Sequence, residues 1–204
     1  MVARVGLDGA VGALRAGGVV ALPTDTVYGV AASLGNLDAV ATLFRAKRRP
    51  ANLALPVLVD SLEQIAGLGV EWGEPASLLG RAFWPGPLTI IVAAPHELAV
   101  RIGSVEDSIG LRIPDDDVLR RILARVGPLC VSSANTHGEP PCRSATDVEA
   151  AFGDDEIAGV LDDGERSGVV SSVIDLTTDP WRIVRDGALG HDEIARVLGG
   201  GPLV

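Results

Sequence analysis

The stretch Gly17-Gly18-Val19-Val20-Ala21-Leu22-Pro23-Thr24-Asp25-Thr26-Val27-Tyr28-Gly29-Val30 decides the fold class of this chain. The glycine pair ends a helix near residues 8–16, because glycine tolerates the backbone conformation in which helices stop. Val19 to Leu22 is a short apolar run of the kind found in buried strands. Pro23-Thr24-Asp25-Thr26 interrupts it, and an extended run resumes at Val27. Helix, buried strand, polar break and strand within a short span point to an α/β domain, in which polar residues just past a strand end are where small ligands bind.

The alternation continues outward. Asn36 caps a helix whose apolar face is Leu37, Val40, Ala41, Leu43 and Phe44, and that helix must stop before Pro50. Leu55–Val59 reads as a strand, followed by helices near 61–67 and 74–83 and a β-prone run from Leu88 to Ala93. Strands are predicted over 109–113 and 129–131, with a helix opened by Pro114-Asp115-Asp116-Asp117 between them. The acidic triplet sits in a helix first turn, where free N–H groups and the macrodipole favour carboxylates, so a structural role is expected. Later come a helix near 144–152, strands near 158–161, 172–176 and 182–185, and a helix near 191–198. The uneven spacing predicts a mixed sheet. Asn135–Arg143 and Gly164–Gly168 are the irregular stretches and are candidate loops over a site.

Composition narrows the function. The chain has 204 residues, a formal net charge of −10 and 3% aromatic residues. A broad nucleic-acid footprint needs a wide basic face and stacking platforms, so any polyanion held here is expected to be small and met by local cations, with at most weak RNA contact. Cys130 and Cys142 form no CxxC pair, and His96, His137 and His191 lack ligand spacing, so neither a disulfide framework nor a protein metal site is expected. With no apolar signal core at the N-terminus and no membrane-length run, a cytoplasmic protein is the expectation.

Sixteen arginines stand against a single lysine, Lys47, in Arg45-Ala46-Lys47-Arg48-Arg49-Pro50. An ammonium is a compact point charge suited to one phosphate oxygen, whereas a guanidinium is a broad fork. Lys47 is therefore either a phosphate ligand or a chance survivor of an arginine-biased composition. If the segment is extended, Lys47 and Arg49 point the same way and form a polyphosphate clamp. Ser132-Ser133-Ala134-Asn135 offers small hydroxyl and amide groups after a strand. No Gly-x-Ser-x-Gly elbow is present, so a serine triad is not expected, and no phosphate loop of the Walker or GxGxxG type occurs. Trp84-Pro85-Gly86-Pro87-Leu88-Thr89 reads as a rigid connection into a strand.

Taken in order, Pro23–Gly29, Lys47-x-Arg49-Pro50, Phe83–Thr89, Gly110–Pro114, Ser133-Ala134-Asn135, Ser171–Asp175 and Arg185-Asp186-Gly187 resemble the Sua5/YrdC family of L-threonylcarbamoyladenylate synthases. The resemblance implies a YrdC-like α/β fold, a twisted mixed β-sheet flanked by helices around a concave basic cavity. It also implies one catalytic domain over 1–204, similar to the short form that lacks an extra C-terminal domain. The implied reaction is nucleotidyl transfer: L-threonine, bicarbonate and ATP, with Mg²⁺ accompanying ATP, give threonylcarbamoyl-AMP and pyrophosphate. A threonylcarbamoyl transferase complex then modifies adenosine 37 of tRNA. Carried over by position, Lys47 and Arg49 are catalytic, and Lys47, Arg49, Ser133, Asn135 and Arg185 bind ATP. Thr24, Tyr28, Arg112 and Ser171 bind L-threonine. Asp25, Ala54, Ser132 and Ser172 depart from the residues common in the family. Two alternatives are a carbamoyl-adenylate domain of the kind in hydrogenase maturation proteins, whose zinc-finger and acylphosphatase modules are missing, and a non-catalytic RNA-binding module.

Overall fold

A computed structural model describes residues 1–199, so the last five residues of the expected 1–204 domain lie outside the described residues. In chain order the first half contains β1 (Arg4–Val5), α1 (Leu7–Arg15), β2 (Val20–Pro23), β3 (Tyr28–Ser33), α2 (Leu37–Ala46), β4 (Val57–Leu58), α3 (Leu62–Ala66), α4 (Glu74–Phe83) and β5 (Leu88–Ala93). The second half contains α5 (His96–Arg101), β6 (Ser108–Arg112), α6 (Asp117–Val126), β7 (Leu129–Ser133), α7 (Ala145–Ala151), β8 (Gly159–Leu161), β9 (Ser172–Asp175), β10 (Arg182–Arg185) and α8 (His191–Val197). All ten strands join one mixed sheet in the order β1-β8-β2-β3-β7-β4-β6-β5-β9-β10. Its β2–β3, β3–β7 and β5–β6 pairs are antiparallel, while β2–β8, β4–β6 and β5–β9 are parallel.

Period-2 alternation along the strands builds a core on each face. Val20 and Leu22 of β2 and Ala31 of β3 pack with Ala10, Val11 and Leu14 of α1 and Leu119, Ile122 and Leu123 of α6. Ala21, Val30 and Ala32 point the other way, into a larger cluster with Val40 and Leu43 of α2, Leu79 of α4 and Val148 of α7. Burying each such aliphatic side chain contributes about 1.5–3 kcal/mol before entropy is counted.

Three differences from the sequence expectation have simple causes. The expected strand over 55–59 is in register with its neighbours only at Val57–Leu58: Pro56 has no N–H to donate and Leu55 donates to Ile102 O at 2.9 Å, although Pro56 O still accepts from Val131 N and Val59 N donates to Arg112 O, each at 3.0 Å. The strand expected to end at Val131 continues through Ser133, which pairs with Gly29. Lys47 and Arg49 do not lie in an extended segment. α2 ends in a paired turn: Arg49 N donates to Phe44 O at 3.0 Å and Arg48 N to Arg45 O at 2.9 Å, with Arg48 in the left-handed region at φ 50°. That turn sends Lys47 and Arg49 inward and leaves Arg48 exposed.

Candidate active site

The cavity is walled by the ends of adjacent strands. Between β2 and β3 the chain makes a threonine turn. Thr24 Oγ1 donates to Val27 O at 2.7 Å, accepts from Thr26 N at 3.1 Å and lies 2.8 Å from Thr26 Oγ1. Both threonines are buried, and both line the cavity. Gly29 follows. A Cβ there would lie 2.6 Å from Val131 Cγ1, so only glycine lets β3 and β7 approach at the cavity floor.

Arg112, at the end of β6, is 5% exposed. It donates from Nη2 to Asp25 Oδ1 at 2.6 Å, from Nε to Gly86 O at 3.0 Å and from Nη1 to Thr26 Oγ1 at 3.3 Å. Across the cavity, Ser171 Oγ lies 3.0 Å from Thr89 Oγ1, and Arg185 donates from Nε and Nη2 to Ser171 O at 3.0 and 2.9 Å. Arg185 reaches this point because the β9–β10 register shifts between Ile183 and Arg185, re-aiming the strand end. Asp175 anchors the same hairpin by accepting from Arg182 at 2.8 Å. Arg49 donates to Leu53 O and Ala54 O, each at 2.9 Å.

Of these residues Thr24, Thr26, Arg49, Thr89, Arg112, Ser171 and Arg185 line a cavity of about 140 Å³. It adjoins a shelf of about 360 Å³ that shares Arg49, Pro56, Thr89 and Arg185 and adds Ile91, Val173 and Val184. Burial lowers the pKa of all three arginine guanidiniums, opposed at Arg112 by Asp25 and reinforced at Arg185 by Arg112 and Arg49. Cations that depress one another across a hollow are stabilised when an anion enters it.

Not every residue predicted from sequence reaches the cavity. Thr24, Arg49, Arg112, Ser133, Ser171 and Arg185 line it, while Lys47, Asn135 and Tyr28 stand behind the lining. The Lys47 ammonium donates to Ser133 O, to Asn135 O at 2.8 Å and to Asn135 Oδ1 at 3.3 Å. Burial, and then the charge of Arg49, lower its pKa to about 8. Asn135 Nδ2 donates to Thr136 O and Glu139 O at 2.7 and 2.8 Å, so Lys47 and Asn135 anchor the 135–143 loop. Tyr28 is fully buried and donates its hydroxyl to Gly164 O at 2.8 Å. The sequence offers the Thr26 hydroxyl beside that of Thr24 without assigning it a ligand, and it does not point to Asp25 or Thr89 as site residues. For Thr89 the available signal was one polar residue inside the otherwise apolar run Leu88–Val92.

Neither cysteine supplies a nucleophile, because burial pushes the Cys130 and Cys142 thiols up to about 12 and about 11. Among the described residues no group of three His, Cys, Asp or Glu is placed to hold a metal, and no helix is long and apolar enough to cross a membrane.

A mixed-sheet α/β domain with a small hydroxyl-lined hollow flanked by the buried Arg112, the half-buried Arg49 and the more exposed Arg185 has the charge and size to hold a compact anion beside a small polar molecule. Comparison with known proteins narrows the class. The family model Sua5_yciO_yrdC, described as telomere recombination, matches residues 12–187, and the chain belongs to this family. It is 40% identical over 197 residues to a putative threonylcarbamoyl-AMP synthase of Mycobacterium tuberculosis, covering 95% of this chain and 89% of the relative. It is 38% identical over 192 residues to the Pyrococcus abyssi threonylcarbamoyl-AMP synthase, covering 93% of this chain but 56% of the relative. The crystal structure of P. abyssi Sua5 complexed with L-threonine superposes with a TM-score of 0.89 at 37% identity, over 95% of this chain and 57% of that one. Escherichia coli YciO shares the fold, with a TM-score of 0.80 at 22% identity.

Proposed function

We propose that the protein is an L-threonylcarbamoyladenylate synthase, a nucleotidyltransferase that joins L-threonine, bicarbonate and ATP and releases pyrophosphate. The observation that carries this reading is the convergence of Arg49, Arg112 and Arg185 with Thr24, Ser133 and Ser171 on one cavity and its adjoining shelf. A guanidinium has five N–H groups. Arg112 commits three of them to protein acceptors, which leaves two for a substrate carboxylate. Thr24, Arg112 and Ser171 are assigned to L-threonine. Arg49, Arg185 and Ser133 are assigned to the triphosphate, and the apolar shelf beside Val173 and Val184 suits the flat nucleoside. Lys47 and Asn135 support this side through the Ser133 and Asn135 carbonyls, and Tyr28 supports the threonine side from behind.

The chemistry needs little covalent help. The neutral threonine amine attacks the carbon of CO₂ or bicarbonate; an N–C bond forms, the nitrogen loses its proton and, from bicarbonate, water departs. A carbamate oxygen then attacks the α-phosphorus, and the bond to the β-phosphate breaks with its electron pair leaving on pyrophosphate. Holding the two reactants together and neutralising phosphate charge supply the acceleration. Mg²⁺ arrives with ATP as the MgATP substrate, and no protein ligand is assigned to it. The adenylate would pass to a tRNA-modifying threonylcarbamoyl transferase complex in the cytoplasm.

A substrate-omission assay tests this. Pyrophosphate release should require ATP, L-threonine and bicarbonate together. Equal ATP turnover without threonine would refute the assignment.

A further inference from the structure

Behind the cavity wall lies a polar cluster centred on Arg166, a residue of the irregular 164–168 stretch to which the sequence assigned no role of its own. Its side chain is 15% exposed. Nε donates to Thr24 O at 2.8 Å, Nη1 to Asp163 O at 2.6 Å, and Nη2 to Asp163 Oδ2 at 2.7 Å and Asp116 Oδ2 at 3.0 Å. The guanidinium carbon stands 6.0 Å from the centroid of the Tyr28 ring. The rest of the loop grips the same turn: Gly168 N donates to Thr26 O at 3.1 Å, and Tyr28 Oη accepts from Asp163 N at 3.2 Å. On the far side, Asp116 Oδ1 caps α6 by accepting from Leu119 N at 2.8 Å, so Arg166 is fixed to a helix end as well as to its own loop.

The carbonyls held by this loop are those of Thr24 and Thr26, on either side of Asp25. Asp25 in turn fixes Arg112, 2.6 Å away, within the cavity lining. We propose that Arg166 is a positioning residue for the amino-acid substrate: through Thr24 O it sets the turn that aims Asp25 at Arg112 and thereby orients the guanidinium that receives the substrate carboxylate. The inference rests on the reading that L-threonine is bound at Arg112. A buried ion pair can add nothing to stability, but a donor shared among a loop, a helix cap and a substrate-bearing turn fixes geometry. Displacement of a reacting group by about 1 Å can cost on the order of a hundredfold in rate. Arg49 and Arg185 lie on the other side of the cavity and make none of these contacts, so the triphosphate side should be indifferent to Arg166.

The test is steady-state kinetics with calorimetric L-threonine binding on the full chain. Arg166→Ala should raise KM and Kd for L-threonine at least tenfold and leave KM for ATP within about twofold; Arg166→Lys should recover part of the loss. Adding Asp25→Asn to Arg166→Ala should cost little more than the worse single change, because both break one relay. Equal rises in both KM values, or an unchanged threonine Kd, would overturn the inference. If Arg166→Ala does not fold by circular dichroism, Arg166→Lys and Asp163→Asn are judged by the same ratio of KM values. Should the wild type release no pyrophosphate yet bind L-threonine, the catalytic reading fails while the calorimetric comparison still decides the role of Arg166; a wild type that binds no L-threonine overturns both.

Discussion

At the residue scale Lys47 carries two consequences of one burial. The residue is 1% exposed, and its ammonium faces three carbonyl oxygens, from Ser133, Asn135 and the Asn135 side chain. Burial and Arg49 lower its pKa from 10.5 to about 8. Between those values the unfolded chain holds more protons than the folded one, so this group's contribution to stability rises with pH across the window and is flat below it. Function runs the opposite way, since loss of the proton removes a donor and a positive charge beside the triphosphate site. The expected result is that kcat/KM for ATP, which reports the free enzyme, falls on the alkaline side with an apparent pKa near 8. Deprotonation of the threonine amine raises the rate with pH and cannot mimic that limb. Lys47→Arg should lower kcat/KM more than tenfold, a cost above about 1.4 kcal/mol, and should lack the limb because its guanidinium stays charged. A limb that persists in Lys47→Arg assigns the titration to another group. Composition alone singled out Lys47, since it is the only lysine. Its acceptors, 86 and 88 positions away in the chain, could not be read from spacing, and neither could the partner of the Tyr28 hydroxyl, 136 positions away.

Elements were legible in proportion to their length. Asn36 was recognised as the α2 cap, and its Oδ1 accepts from Ala39 N at 3.0 Å. Asp116 was read from the helix first turn and caps α6. The two-residue β1 and the six-residue α5 are too short to show a period, whereas the equally short β4 is legible because it lies inside the longer apolar run Leu55–Val59. α2 stops before Pro50, as expected, but the turn that ends it is not legible: Arg48 occupies the left-handed position that a helix-terminating turn normally gives to glycine, so no glycine marks it. Holding an L-residue there costs about 1–2 kcal/mol. Glycine removes that strain and gives back up to about 1 kcal/mol through its greater freedom in the unfolded chain. Arg48→Gly is therefore expected to stabilise the protein by about 0.5–1 kcal/mol, seen as a higher urea midpoint at unchanged slope. Arg48 is exposed and lies outside the cavity lining, so turnover should not change. A lower midpoint would show that its side chain makes contacts that outweigh the backbone strain.

At the scale of the whole molecule, the total charge was legible and its distribution was not. A chain of net charge −10 gathers Arg49, Arg112 and Arg185 at one hollow, and only the sheet order explains how. β2, β3, β7, β4, β6, β5 and β9 are consecutive neighbours in the sheet, and each brings a residue at or beside its end to the wall, with β10 adding Arg185. A ligand seated there bridges most of the width of the sheet and relieves the mutual repulsion of its cations. Binding should therefore stabilise the sheet as a unit rather than a single loop. At a hundredfold excess over Kd, mass action supplies about 2.7 kcal/mol. For a domain of this size each kcal/mol moves the melting temperature by about 2–4 °C, so saturating MgATP with L-threonine should raise Tm by about 5–10 °C. Arg185→Ala should lose most of that rise, because it removes a cation and the clamp on Ser171 together. An undiminished rise in that variant would place the nucleotide somewhere other than the arginine-ringed strand ends.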